Sequence, residues 1–123
     1  MLNESKIISF LATRNSENAR VFYEKALGLK FLSEDGFALV FNANGTMLRI
    51  QKMEQFNPQE HTALGWMVTN IGAEVSQLTN RGVKFIRYEW MEQDENGIWT
   101  APNGARVAWF KDPDGNVLSL TQF

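Results

Sequence analysis

The run WFKDPDGNVLSLTQF, residues 109–123, decides the fold. Apolar, β-prone residues stand on both sides of a tight turn. Within that turn Pro113 fixes φ, Asp112 and Asp114 can accept from nearby backbone amides, and Gly115 supplies a positive φ. The layout is that of a β-hairpin. A fainter copy occurs earlier: ALVFNANGTMLRIQ, residues 38–51, sets Phe41 against Phe110 and Asn44-Gly45 against Asp114-Gly115. A hairpin that occurs twice implies a duplicated unit.

Working outward from the two hairpins, the rest of the chain repeats in step. Residues 6–13 read as a strand, and Asn15-Ser16 offers a helix N-cap. Ala19, Phe22, Tyr23, Ala26 and Leu27 then share one helical stripe, which Gly28 ends as a C′ glycine with Leu29 placed for the contact that follows. Strands are predicted over residues 30–33, 37–42 and 46–52, which makes the first half βαβββ. Residues 53–61, polar and containing Pro58, form a linker. The pattern then restarts, with a strand over 62–69, an N-cap at Asn70, a stripe of Ile71, Val75 and Leu78, and a second C′ glycine at Gly82. Leu29-Lys30-Phe31-Leu32 is echoed by Val83-Lys84-Phe85-Ile86. A strand over 83–89, an acidic turn-rich segment over 91–97 and the closing hairpin complete a second βαβββ half. The landmarks keep one order and a nearly constant offset, so a tandem repeat accounts for them better than chance.

Composition bounds the function. A chain of 123 residues, 44% hydrophobic and 21% charged, fits one globular domain with a real core. A net charge of −2 and a pI near 5.4 argue against nucleic acid as the partner, since phosphate binding needs a basic face. No apolar run approaches the ~18 residues of a membrane span. The chain has no cysteine, which excludes disulfides, thiolate metal sites and cysteine nucleophiles. With no export signal in view, the expected compartment is the cytoplasm.

The residues Ala19-Arg20-Val21-Phe22-Tyr23 followed by Leu27-Gly28-Leu29, and the closing Asp112-Pro113-Asp114-Gly115-Asn116, resemble the vicinal oxygen chelate superfamily. That group includes glyoxalases, bleomycin-resistance proteins, fosfomycin-resistance enzymes and extradiol dioxygenases. The resemblance covers nearly the whole chain. It implies an α+β fold of two tandem βαβββ modules, about 5–52 and 62–123, forming a cupped, mostly antiparallel sheet with helices outside, often as a homodimer. It also implies four metal-binding strand positions, two per module, usually His or Gln and then Glu. Carried over by position, these fall on Ile8, Arg49, Ala63 and Ser119. None is an imidazole or a carboxylate, and a fixed cation at Arg49 repels a metal. His61, the sole histidine, stands two residues before Ala63 and reads as an exposed linker residue.

Strand alternation assigns the remaining side chains. Leu48, Ile50, Leu118 and Leu120 take the helix side, so Met47, Arg49, Gln51, Val117, Ser119 and Thr121 face the cup. Phe10, Ala12, Gly65 and Met67 join them. An arginine in an apolar strand suits a ligand carboxylate or phosphate, or else an internal ion pair with Glu54 or Glu89. Trp66 and Trp109 are assigned to the core, facing the helices. Trp90 and Trp99 flank the 91–97 segment, where a mobile loop could close over a planar ligand. The turn at residues 112–116 lacks the spaced acidic ligands of a calcium loop.

These observations lead to an expected metal-independent protein that binds a small aromatic or anionic compound, without cofactor, as a homodimer, with neither nucleic acid nor membrane as partner. Its expected ligand-binding residues are Phe10, Met47, Arg49, Gln51, Met67, Trp90, Trp99, Ser119 and Thr121. Bleomycin-resistance proteins, which bind without chemistry, are the precedent that the resemblance supplies. Two alternatives stand beside it. One is a glyoxalase- or dioxygenase-like enzyme using shifted metal ligands or an acid/base residue such as Tyr88, Glu89 or His61. The other is a partner protein whose cup is filled by its own side chains around Phe56 and Trp99.

Overall fold

In the computed structural model, which describes residues 1–123, the two helices begin in the same way. The side chains of Asn15 and Asn70 accept from the amides of Asn18 and Ala73, at 3.1 and 3.0 Å. Each satisfies an orphan donor of the first turn. Helix α1 (Ser16–Val21) runs on through a π turn (Phe22–Ala26), and helix α2 spans Ile71–Asn80. Gly28 and Gly82 end them at φ 74° and 93°, conformations that L side chains adopt at a cost. After α2 the Val83 amide donates to the Leu78 carbonyl and Gly82 to Thr79, each at 3.0 Å, closing a Schellman turn. Cap and stop lie thirteen residues apart in the first copy and twelve in the second. The extra residue is taken up as the π turn, where Leu27 donates to Phe22 rather than to Tyr23.

The chain divides into two units, Met1–Pro58 and Gln59–Phe123. In the first, β1 (Ile8–Thr13), β2 (Lys30–Glu34), β3 (Ala38–Ala43) and β4 (Thr46–Lys52) form a sheet in the order β1-β4-β3-β2. In the second, β5 (Thr62–Met67), β6 (Trp99–Thr100), β7 (Arg106–Lys111) and β8 (Val117–Gln122) take the order β5-β8-β7-β6. The permutation is the same, and in both sheets the first strand pairs in parallel with the last while the other pairs are antiparallel. The fold is therefore α+β and duplicated.

Each sheet has one face against its helix. In the first unit Leu11, Leu39, Phe41, Leu48 and Ile50 are buried with Ala19 and Tyr23 of the helix. Tyr23 and Phe31 both meet the Phe41 ring, with centroids at 5.9 and 5.6 Å. In the second unit Ile71, Val75 and Leu78 of α2 are buried along with Ala108, Phe110, Leu118 and Leu120. Phe110 receives Phe85 edge-on at 5.3 Å and stacks with Trp66 at 6.4 Å. Full burial of such a side chain contributes about 1.5–3 kcal/mol.

The two turns differ in detail. Asn44 and Gly45 both have positive φ, 50° and 92°, the pair that a two-residue primed hairpin needs. The closing turn is held by Asp112, whose carboxylate accepts from the amides of Asp114 and Asn116 and from the Asn116 side chain at 2.7–2.9 Å.

The expected strand over residues 83–89 is not a strand. It meets β7 only at a bridge between Phe85 and Phe110 and at one bond, Ile86 amide to Trp109 carbonyl, 2.8 Å. The Gln93 side chain takes up the groups that a ladder would have used. Its Nε2 donates to the carbonyls of Ile86 and Gly97, and its Oε1 accepts from the Tyr88 amide, at 2.8–3.0 Å. The segment expected as a mobile loop is likewise tied down. Asp94 exchanges backbone bonds with Ile98 and Gly97, and its carboxylate accepts from Asn96 and Ile98.

Candidate functional site

The face of the first sheet turned away from the helix carries the predicted residues of that unit. Pairing sets Ile8 beside Met47, Phe10 beside Arg49 and Ala12 beside Gln51, with Val40 on the other flank of Arg49. Phe10 and Met47 are exposed, and Arg49 is half-buried. Arg49 forms no ion pair with a carboxylate of the chain, so the expected alternative of a bridge to Glu54 or Glu89 is not found. Its charge acts instead at longer range. Asp35 is held below the usual carboxylate range by amide bonds from Phe37 and Ala38, with smaller contributions from Arg49 and Lys52. Lys52 is itself paired with Glu34 at 2.6 Å. A recess of about 410 Å³ opens elsewhere on this unit, among Thr13, Arg14, Gly36, Lys52 and Glu54, and none of the predicted site residues borders it.

On the second sheet, Ser119 lies between Gly65 of β5 and Trp109 of β7, and Thr121 lies between Met67 and Val107. Ser119, Thr121 and Met67 thus share a face, as alternation requires, and Trp99 joins it as the pairing partner of Val107. Trp109 is on this face too, not against the helix where it was expected. Phe110 points to the helix, so its neighbour must point away. Parity with Phe41 carried that signal. The Trp109 indole Nε1 donates to Thr62 Oγ1 at 3.2 Å. Since Thr62 is on β5 and β8 runs between, the indole lies across β8.

Four rings continue from there. Tyr88 meets Trp109 edge-on at 5.7 Å, Trp99 meets it at 6.1 Å, and Trp90 packs on Tyr88 at 5.6 Å. Trp90 is 79% exposed. Trp90 and Trp99 are therefore brought to one aromatic cluster through Tyr88 and Trp109, neither of which had been placed among the binding residues. Burial raises the Tyr88 hydroxyl above its ordinary range, which leaves it a protonated donor at neutral pH and a poor base.

The four positions that the resemblance assigns to metal do not fit one. Ile8 is apolar, Arg49 is a cation, Ala63 is the unpaired residue of a bulge in β5, and Ser119 offers only a hydroxyl. No group of three or more His, Cys, Asp or Glu side chains is placed to hold a metal ion. His61 is exposed in the bend before β5. No helix is long and apolar enough to cross a membrane.

Comparison with known proteins agrees with this architecture. A glyoxalase family protein from Enterococcus faecalis superposes with a TM-score of 0.76 at 20% identity, covering 98% of this chain and 99% of that one. A superfamily member from Sphaerobacter thermophilus gives 0.75 at 20% identity over 100% of both chains. Lactoylglutathione lyase from Agrobacterium tumefaciens gives 0.68 at 18% identity, covering 96% and 93%. No curated protein matches the sequence. At these identities the likeness shows the fold. The sequence profile of the Glyoxalase/Bleomycin resistance protein/Dioxygenase superfamily matches residues 7–120, nearly the whole chain, and the protein belongs to that superfamily.

Proposed function

We propose that this protein binds a small aromatic or anionic compound on its open sheet faces without a metal ion. The observation that carries the reading is the set Ile8, Arg49, Ala63 and Ser119 at the positions where the resemblance implies metal ligands. A metal enzyme needs imidazole or carboxylate donors there, commonly three or more from the protein. Arg49 supports the ligand reading, because a half-buried guanidinium with no carboxylate partner suits an incoming anion. The exposed aromatic rings of the second unit support it as well. A homodimer fits the same reading, since Ile7 and Phe37 are 76% and 79% exposed and a second copy would cover such surface. We place it in the cytoplasm, where a chain without cysteine is indifferent to reducing conditions.

A thermal-shift screen of small carboxylates and planar aromatics, run on wild type and Arg49→Ala, tests the proposal. Anionic hits should weaken by roughly tenfold or more in the variant, in line with about 1.5–3 kcal/mol for a hydrogen bond to a charged group. An anion whose binding is unchanged by Arg49→Ala removes Arg49 from the site. A screen in which nothing binds unless a divalent metal is added contradicts the proposal as a whole.

A further inference from the structure

Ser119 combines two properties that rarely occur together. Its residue is only 6% exposed, yet its hydroxyl makes no hydrogen bond within the chain. No fully buried side-chain polar atom lacks a partner, so the Ser119 oxygen must keep a narrow contact with solvent. The opening is at Gly65, its neighbour on β5. A Cβ built at Gly65 would stand 2.7 Å from Ser119 Oγ, far inside van der Waals contact. The absent side chain is what leaves the hydroxyl reachable.

The surroundings of that notch are aromatic and neutral. Trp109 is the pairing partner of Ser119 on the other side, and its bond to Thr62 lays the indole across β8. Met67, two residues beyond Gly65 on the same face, is 78% exposed. Tyr88 and Trp90 extend the ring surface. Exposed indole and thioether groups gain most from contact with a flat π-system, which buries area and offers stacking and sulfur–ring contacts. A hydroxyl left unpaired in an otherwise apolar setting supplies the polar contact that fixes orientation.

Building on the proposed small-molecule binding, we infer that the ligand of this face is a planar aromatic compound bearing a hydroxyl or carbonyl group. The ring stacks against Trp109 and Met67, and its polar substituent enters the Gly65 notch to hydrogen-bond Ser119 Oγ. Gly65 is a specificity-determining residue in this scheme, because any larger side chain closes the notch.

An NMR titration that follows the Trp109 indole N–H, assigned with Trp109→Phe, tests this with 2-naphthol and its near-isostere 2-methylnaphthalene. Both should bind saturably and shift that resonance. The naphthol should bind roughly three- to tenfold more tightly, the range of one neutral hydrogen bond. Ser119→Ala and Gly65→Ala should each abolish the preference while leaving 2-methylnaphthalene affinity unchanged. Ser119→Ala fills no space, and the Gly65→Ala contact is relieved by rotating the hydroxyl, so melting temperatures should stay near wild type. If Gly65→Ala fails to fold, Ser119→Ala alone decides. Equal affinities in wild type, a preference that survives Ser119→Ala, or an unmoved Trp109 resonance overturns the inference. A small carboxylate that binds through Arg49 while both naphthalenes are inert overturns the inference and leaves the general reading standing. Metal-dependent binding of every probe overturns both.

Discussion

Gln93 does with one side chain what a strand ladder does elsewhere in the fold. Its amide binds the Ile86 and Gly97 carbonyls and the Tyr88 amide, and so fixes the segment that carries Tyr88 and Trp90. Replacing it by alanine leaves these part-buried groups to find water, at a cost of about 1–3 kcal/mol. Urea melts of Gln93→Ala should show that loss, with a drop in near-ultraviolet aromatic signal. Gln93→Glu keeps the acceptor, loses both donors, and should fall between. Asp35 gives a pH dependence. Amide bonds from Phe37 and then Ala38, with Arg49 and Lys52 behind them, hold its carboxyl below the ordinary value. A lowered pKa stabilises above the unfolded value, about 4, and the benefit is lost as pH falls through the lowered folded value. Melting temperatures of wild type and Asp35→Asn should differ by a constant amount near neutral pH and converge in acid. A gap that widens on acidification contradicts the assignment.

The helix caps and hairpins could be read from the chain because their chemistry is local. An asparagine before a helical stripe, a glycine after it, and Asn-Gly or Asp-Gly between apolar runs each leave one conformation favoured. Asn15→Ala and Asn70→Ala should therefore each cost about 1 kcal/mol in denaturant melts, and equal costs would confirm that the copies are capped alike. Asp112 belongs to the same class. Its buried carboxylate serves two amides and one side chain, and Asp112→Ala should destabilise by about 2–3 kcal/mol. What could not be read depended on distant partners. Residues 83–89 are apolar and β-branched enough for a strand, but nothing local announces that Gln93 intercepts their hydrogen bonds. Trp109 was assigned to the wrong face although parity with Phe110 was available, because a large apolar ring invites a core assignment. The Gly65 notch depends on register between β5 and β8, which the bulge at Ala63 shifts by one residue.

At the scale of the whole chain, one unit has been used twice, with the same strand permutation and the same parallel first-to-last pairing. Repetition made the fold legible, since weak signals were each confirmed by a second copy. Function gained nothing from repetition, because it lies in the residues by which the copies differ, such as Arg49 against Ser119. Those two positions are where the account departs most from the superfamily's metal chemistry. The most direct measurement is elemental analysis of untagged protein purified without chelators, paired with melting curves in added manganese, iron, nickel and zinc. The account predicts metal far below one equivalent per chain and no rise in melting temperature with any of the four. One tightly held equivalent, or a specific stabilisation by one of these ions, would contradict it.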